Sequence, residues 1–541
     1  MSKTNSLFTV VGGGISGLTA AWYLAKQIPA ASSRSAPVIT LIESSNRFGG
    51  WMRSDKTTLQ DGTTILKEKG PRTLRLDGSR ESKAVLEIVD ELDLHDKVVF
   101  SSKNSPASLN RYIYHNGVMN AIPGKFSHLL TRFPPVIRPA VKGVFKDLFT
   151  KRNTPIDRHD ESISELIARR FGSRIDDSLL SAVMAGIYAS DTKKLSSRMV
   201  LNKLWRADRI SGKILVGMNH VNKDISKIIA QNDFINQQLS DEKEMWEHRL
   251  KHNAGFWESV NSSSIYSFKD GIETLSDAIL KDLAKFPHVN IVSENPCVGI
   301  TKPESSSNSV DVKLSNGEII RSGKVINTTP LNISKSLFKN QDLPEIFSST
   351  PYSSISLVNI TYKGDNLMPI DGFGFLVPRE SWNKTDVIGV VFDSCCLPEQ
   401  DGGQPITRIT AMLGGPVFNE KFKNKQDLNS NIIASRAVES VKKILKIEDE
   451  PLDVQVTICK DCIPTYTVGY YDRLSELYKW LKTWNGSLLV SGAAYGGPGI
   501  NIIALHSKDV SARLMTDFDM EKQEHLYKIK ATGLEEILTL Y

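Results

Sequence analysis

The sequence predicts an α/β protein of several interleaved lobes: a core of parallel strands and helices, a lobe of antiparallel sheet, and an inserted helical lobe. Three observations carry this. A short apolar run, a glycine-rich turn and a helix open the chain. A long middle stretch has helical period. Residues 350–415 alternate apolar and polar positions, as a half-exposed antiparallel sheet does.

Residues 7–11 (LFTVV) read as a buried strand, GGGISG as a turn, and 18–27 as a helix with apolar positions at Leu18, Ala21 and Leu24. A strand at 38–42 completes a β-α-β unit, and the intervening residues 29–37, containing Pro and Ser, form a surface loop. ISELIARRF and DDSLLSAVMAGIY are helical, and the charged stretch NDFINQQLSDEKEMWEHRLKHN is a solvated helix or loop. Residues 265–330 return to the texture of the opening: a helix at GIETLSDAILKDLAKF, then strands at VNIVSE, VDVKLSNG and KVINTTP, with a hairpin turn from Ser315 to Gly317. The C-terminal SLLVSGAAYGGPGINIIALHSKDVSARLM is again strand, glycine-rich turn and helix. The chain therefore divides into 1–109, 110–260 (helical), 261–330, 331–485 (sheet) and 486–541, the first, third and last forming one core.

A length of 541 residues, 40% of them hydrophobic, allows more than one core. Five cysteines (Cys297, Cys395, Cys396, Cys459, Cys462) are too few and odd in number for a disulfide framework. Cys459 and Cys462 have C-x-x-C spacing, but no second pair and no helix start follow, so neither a metal nor a redox site is expected. Cys395 and Cys396 lie in a strand-like stretch as packing residues. A net charge of +6 suits an anionic membrane surface or an acidic ligand, whereas nucleic acid would need a denser basic stripe. No apolar run reaches 18 residues, so no transmembrane helix is expected. The N-terminal MSKTNSLFTVVGGG enters a strand too early for a signal peptide or a long Arg-rich leader, which puts any organelle address inside the mature chain.

Gly12, Gly14 and Gly17 form G-x-G-x-x-G between strand and helix, with Gly13, Ile15 and Ser16 between them. This is the context of a dinucleotide-binding Rossmann turn. The first glycine permits the turn, the second lets backbone approach a pyrophosphate, and the third lets helix pack on sheet, while the helix N-terminus offers N–H groups to phosphate. Glu43 ends the second strand, where a carboxylate accepts from ribose hydroxyls and disfavours a phosphorylated ribose. The bland alternative is a glycine-rich turn with a surface glutamate.

The stretch ESSNRFGGWMRS, following directly, resembles the second glycine motif of the glutathione-reductase-like FAD enzymes, in the branch of amine oxidases, phytoene desaturases and protoporphyrinogen oxidases. The resemblance implies FAD, held non-covalently, and a glutathione-reductase-like FAD-binding domain. It implies that Arg47 approaches the pyrophosphate and that Gly49 and Gly50 let backbone lie close to the cofactor. Ser44, Trp51, Gly70, Pro71 and Arg72 join the cofactor-binding set, and Val298 meets adenine through its backbone. Gly492, Gly499, Ile500 and Asn501 cover the flavin end.

Seven separated stretches narrow it further. EKGPRTLR, LNRYIYHNGVMNAIP, ARRFG, MAGIYASD, DGFGFLVPRE, FDSCCLPEQDG and DCIPTYTVGYY look like the protoporphyrinogen oxidase family, in order and across nearly the whole chain. That family implies oxidation of protoporphyrinogen IX to protoporphyrin IX in three rounds, with molecular oxygen as acceptor and peroxide as product, the penultimate step of haem biosynthesis. It implies peripheral attachment to the mitochondrial inner membrane through the helical lobe. A large apolar macrocycle with carboxylate tails calls for an apolar pocket with one or two cationic anchors. On this resemblance Arg111 binds a propionate, the Gly186 carbonyl faces the macrocycle, and Phe373, Leu376 and Leu397 surround the ring.

Read without the family, Arg111 is an exposed strand arginine, Gly186 a helix-packing glycine, and the three apolar residues sheet core. No histidine or carboxylate is nominated as a catalytic base. Thr465 stands where the family often has Gln, and SGAAYGGPGIN carries extra glycine-proline character near the flavin. Residues 123–146 mix apolar side chains with Lys125, Arg132, Arg138, Lys142 and Lys146 and no acidic partner, which suits a membrane interface or an exposed basic helix pair. The rivals are an amine oxidase of the same branch, opposed by Arg111, and a GDP-dissociation-inhibitor-like interaction protein, opposed by the intact glycine set with Glu43 and Arg47. Monomer and homodimer both stay open.

Overall fold

A computed structural model describes residues 3–28, 38–123, 134–155, 157–302, 309–339, 341–365, 367–516 and 530–540. The expected loop at 29–37 and the basic residues Lys125 and Arg132 lie outside the described residues.

The first strand, Lys3–Val11, is longer than its apolar run, and the helix Ile15–Gln27 begins directly after Gly14. Every residue from Ile15 to Ala25 is buried, because this helix lies between the sheet and the C-terminal helix Ile500–Met515. Such enclosure, rather than one apolar face, explains its Ala- and Leu-rich sequence. Lys3–Val11 pairs in parallel with Ile39–Ile42 and Ile319–Asn327, which in turn pairs in parallel with Leu488–Val490. Val289–Val292 extends the sheet beyond Ile39–Ile42, and Val310–Leu314 and Cys297–Thr301 fold back antiparallel at the other edge. One seven-stranded sheet thus gathers strands from the start, the middle and the end of the chain. Its two faces are covered by separate hydrophobic clusters, one around Leu18, Trp22 and Ala504, the other around Leu474, Leu477 and Tyr495.

The second sheet has the order Asp453–Pro464, Tyr352–Lys363, Ile406–Gly414, Val387–Val391, Gly374–Leu376, Asn110–His115, Val118–Pro123. Three sequence expectations are corrected here. The hairpin 110–123 belongs to this sheet, so the helical lobe begins after it and not at residue 110. The sheet is also not half-exposed: Val387–Val391 and Ile406–Gly414 are buried at every position. The helix Ser430–Leu445 packs its apolar side (Ile433, Ala437, Val441, Leu445) into this core, so alternation of polar and apolar residues gave a false impression of one wet face. Several polar inward residues are paired internally, as where Thr410 Oγ1 reaches Asp393 and Asn359, although the buried Ser356 Oγ has no partner among the described residues. Cys395 and Cys396 sit in a short helix, Asp393–Cys396, and not in a strand.

In the helical lobe, Ile163–Arg170 opens with a full capping box between Ser162 and Glu165. A π-helical turn, Asp176–Leu180, leads into Ser181–Tyr188. The charged helix Asp233–Arg249 is mostly exposed, yet Glu242 is buried and takes Arg80 Nε at 2.9 Å, anchoring the lobe to the first. Among the described residues, no helix is long and apolar enough to cross a membrane.

Candidate active site

The cofactor cradle is built from backbone. Gly12 has φ +109°, and a Cβ at Gly17 would lie 1.8 Å from the Gly12 carbonyl oxygen, so helix and turn approach as closely as backbone allows. Gly14 caps the helix Ile15–Gln27 in extended geometry with no side-chain hydrogen bond, leaving the first N–H groups directed outward. Thr328, unsuspected from the sequence, donates its hydroxyl to the Val11 and Gly12 carbonyls and fixes the turn from the neighbouring strand.

Glu43 accepts from the Gly13 N–H at 2.8 Å through one oxygen, and from Ser44 Oγ and Ser45 through the other. The Gly13 N–H therefore points at the strand end where a ribose would lie. Gly49 donates to the Gly13 carbonyl at 2.8 Å, and a Cβ on Gly50 would come within 3.2 Å of the Gly14 Cα. The two glycine motifs thus meet as one wall.

Arg47 pairs with Glu273 at 2.9 Å and donates to the carbonyls of Phe48, Gly50 and Met52. These donors hold the Gly49–Gly50 turn in shape. Trp51 is 46% exposed, and its carbonyl packs where a Cβ on Gly70 would be, at 2.1 Å. Arg72 makes an ion pair with Asp393 at 3.0 Å, tying the segment 70–72 to the sheet lobe. Val298 occupies the bulge between Cys297 and Gly299, where its backbone drops out of the ladder and is presented at the sheet edge.

At the other end, Gly492 has φ +138°, and Gly499 opens the helix Ile500–Met515 without a side-chain cap. Ser16 joins Ser491 and Ser507 in a buried hydroxyl triangle with sides of 2.9–3.1 Å. Asn501 donates to the Arg75 carbonyl, while its buried Oδ1 has no protein partner. Two uncapped helix starts, a glycine wall and an orphaned amide oxygen match the phosphates and polar ring edge of FAD.

Arg111, on the strand Asn110–His115, lies over the Phe373 ring, its guanidinium carbon 5.6 Å from the centroid. Phe373 is fixed by its N–H donating to the Asn110 carbonyl. Leu376 pairs with Ile113 one strand away, and a Cβ at Gly186 would meet the Leu376 Cδ2 at 2.7 Å. Arg111, Phe373, Leu376 and Gly186 are thus brought together where hairpin, sheet and helical lobe join. Leu397 differs: it is 3% exposed within the sheet core, so it backs the wall from inside.

Glu68, the first residue of the EKGPRTLR stretch but given no role there, is 4% exposed. Burial pushes its carboxyl up to about 7 against the opposing hydrogen bonds from Ser54 and the Ile272 N–H and the charge of Arg72. The Cys459 and Cys462 thiols donate to the Lys69 and Ser353 carbonyls and are not bonded to each other. Burial raises both thiols, which fits packing residues.

Interleaved lobes, a double glycine wall and a cation-rimmed apolar junction define an FAD-dependent oxidoreductase, and the chain belongs to the flavin containing amine oxidoreductase family, whose profile matches residues 15–492. The similarity is narrower still among curated proteins. The chain is 32% identical to protoporphyrinogen oxidase of Schizosaccharomyces pombe over 93% of its own length and 98% of that protein's. It is 28% identical to protoporphyrinogen oxidase of Homo sapiens, covering 91% and 94%. The structure of a putative protoporphyrinogen oxidase from Exiguobacterium sp. 255-15 shares the fold, with a TM-score of 0.69 and 20% identity over 94% of this chain and 98% of that one.

Proposed function

We propose that this chain oxidises protoporphyrinogen IX to protoporphyrin IX through FAD, with molecular oxygen as the final acceptor and hydrogen peroxide as product, in the penultimate step of haem biosynthesis. The observation that carries the reading is Arg111 set over Phe373 beside Leu376 and Gly186: a cation at the rim of an apolar junction, as a macrocycle with carboxylate tails requires. FAD, when bound, supplies the hydride-accepting centre. Gly12, Gly14, Gly17, Glu43 and the start of the helix Ile500–Met515 would hold it. Arg111 binds a propionate through charge-assisted hydrogen bonds and so fixes which meso carbon faces the flavin. The apolar walls exclude water. Aerobic oxidation by flavin-loaded protein, followed by porphyrin fluorescence, tests the reading. Turnover should be rapid and should weaken in Arg111→Ala, whereas growth no faster than autoxidation would refute it.

Peripheral attachment to an anionic bilayer, at the mitochondrial inner membrane, is proposed through the helix Arg138–Phe149. Its exposed Val141, Val144, Phe145, Leu148 and Phe149, the last 81% exposed, lie on the same short helix as Arg138, Lys142 and Lys146. Co-sedimentation with anionic vesicles should exceed that with neutral ones and fall in Phe145→Ser/Phe149→Ser. Equal binding to both, or to neither, would refute the proposal.

A further inference from the structure

We infer that Arg75 is a second carboxylate anchor of this pocket, so that Arg111 and Arg75 take the two propionate tails of one macrocycle. The inference rests on the substrate reading above and assigns a role to the last residue of the EKGPRTLR stretch, which the resemblance left without one.

Arg75 ends the two-residue strand Leu74–Arg75, paired with Tyr266 and Ile265, and its side chain is exposed. From the next residue, Leu76, a short relay through two serines leads to Arg111. The Leu76 N–H donates to the Ser264 carbonyl at 2.9 Å. The Ser264 hydroxyl bonds to that of Ser108. The Ser108 carbonyl accepts from Arg111 Nη1 at 3.1 Å. On its other side, the Arg75 carbonyl accepts from Asn501 Nδ2 at 3.0 Å, at the start of the helix expected to cover the flavin. Arg75 therefore stands between the flavin end of the cradle and the Arg111 rim, on one rigid scaffold.

The charge arrangement points the same way. Arg72, Arg80, Arg170, Arg379 and Arg408 are each ion-paired with an aspartate or glutamate. Among the described residues neither Arg75 nor Arg111 has such a partner. Partial burial, and then the positive charge of Arg75, lower the pKa of Arg111. Two guanidinium groups, neither with a carboxylate partner among the described residues, are relieved by an incoming dianion. Each fork can hold a carboxylate bidentately, which fixes the macrocycle at two points instead of one and so sets its rotation over the flavin.

The test compares wild type, Arg75→Gln and Arg75→Lys in steady-state oxidation of protoporphyrinogen IX and of its dimethyl ester. For the free diacid, Arg75→Gln should raise KM about tenfold with little change in kcat, as expected for losing a solvent-exposed ionic contact to a carboxylate, and Arg75→Lys, which keeps the charge but not the fork, should recover part of that. For the dimethyl ester, wild type and Arg75→Gln should have equal KM. An unchanged KM for the diacid in Arg75→Gln, with active wild type, would overturn this inference and leave the substrate reading standing. A flavin-loaded wild type inactive on both would overturn both. An equal rise in KM for diacid and ester alike would make Arg75 a scaffold residue and overturn the assignment.

Discussion

Arg379 Nη1 lies 2.9 Å from Oδ2 of Asp176, a carboxylate buried in the π-helical turn just before the helix that carries Gly186. The same guanidinium reaches Asp177 and Asp191, so one arginine, three positions beyond Leu376, latches the sheet lobe to the helical lobe. Arg379→Gln leaves Asp176 buried without its cation and should lower stability by about 3 kcal/mol, read from denaturant unfolding. Because the latch sets the Gly186–Leu376 spacing, KM for the porphyrinogen should rise more than kcat falls. Adding Asp176→Asn should recover part of both.

Gly186→Ala should raise KM through a contact that can be relieved elsewhere. The new methyl would press on the Leu376 Cδ2 at 2.7 Å, an overpacking cost of about 1–3 kcal/mol. Leu376→Ala in the same chain should reverse the effect, and the double-mutant cycle should show coupling between the two sites.

Gly17→Ala should abolish flavin retention without abolishing secondary structure. Its Cβ would lie 1.8 Å from a backbone oxygen, and backbone cannot rotate away as a side-chain tip can. The ratio of flavin to protein absorbance after purification measures this directly. A mutant that keeps full flavin content would show that the turn is not the cradle.

Glu68 gives a pH signature. Its carboxyl is raised to about 7, so the folded protein keeps a proton that the unfolded chain loses near the ordinary glutamate value. The folded state is favoured at this site below the unfolded pKa, and stability declines as pH rises toward 7. Over that window the loss is at most about 3 kcal/mol. Glu68→Gln, which removes the titration, should flatten the decline in Tm between about pH 5 and pH 7.5. The same slope in mutant and wild type would assign the pH dependence to other groups.

What was legible in the sequence was local. Gly12, Gly14 and Gly17 announce a tight turn because their spacing is set by backbone geometry within six residues, and Glu43 follows from the length of one β-α-β unit. Arg111, Gly186 and Phe373 needed the family resemblance, since an arginine on a strand or a glycine in a helix carries no chemistry by itself. Arg379 with Asp191 was invisible, for the partners are 188 residues apart. Glu68 lay in a quoted stretch, but its burial was invisible for a related reason: it comes from Ile272, Ser54 and the sheet lobe closing over it. The sheet was read as half wet because alternation reports which side chains are polar, and here Thr410 and Asn359 are polar yet paired inward.

The hydroxyl triangle of Ser16, Ser491 and Ser507 joins residues 475 and 491 positions apart. The turn that opens the cradle and the helix start that closes it are therefore brought together only by the tertiary fold, never by local chain geometry. Flavin retention thus reports on long-range assembly: an opening that parts Ser16 from Ser491 and Ser507 would release the cofactor while each segment kept its own helix or strand.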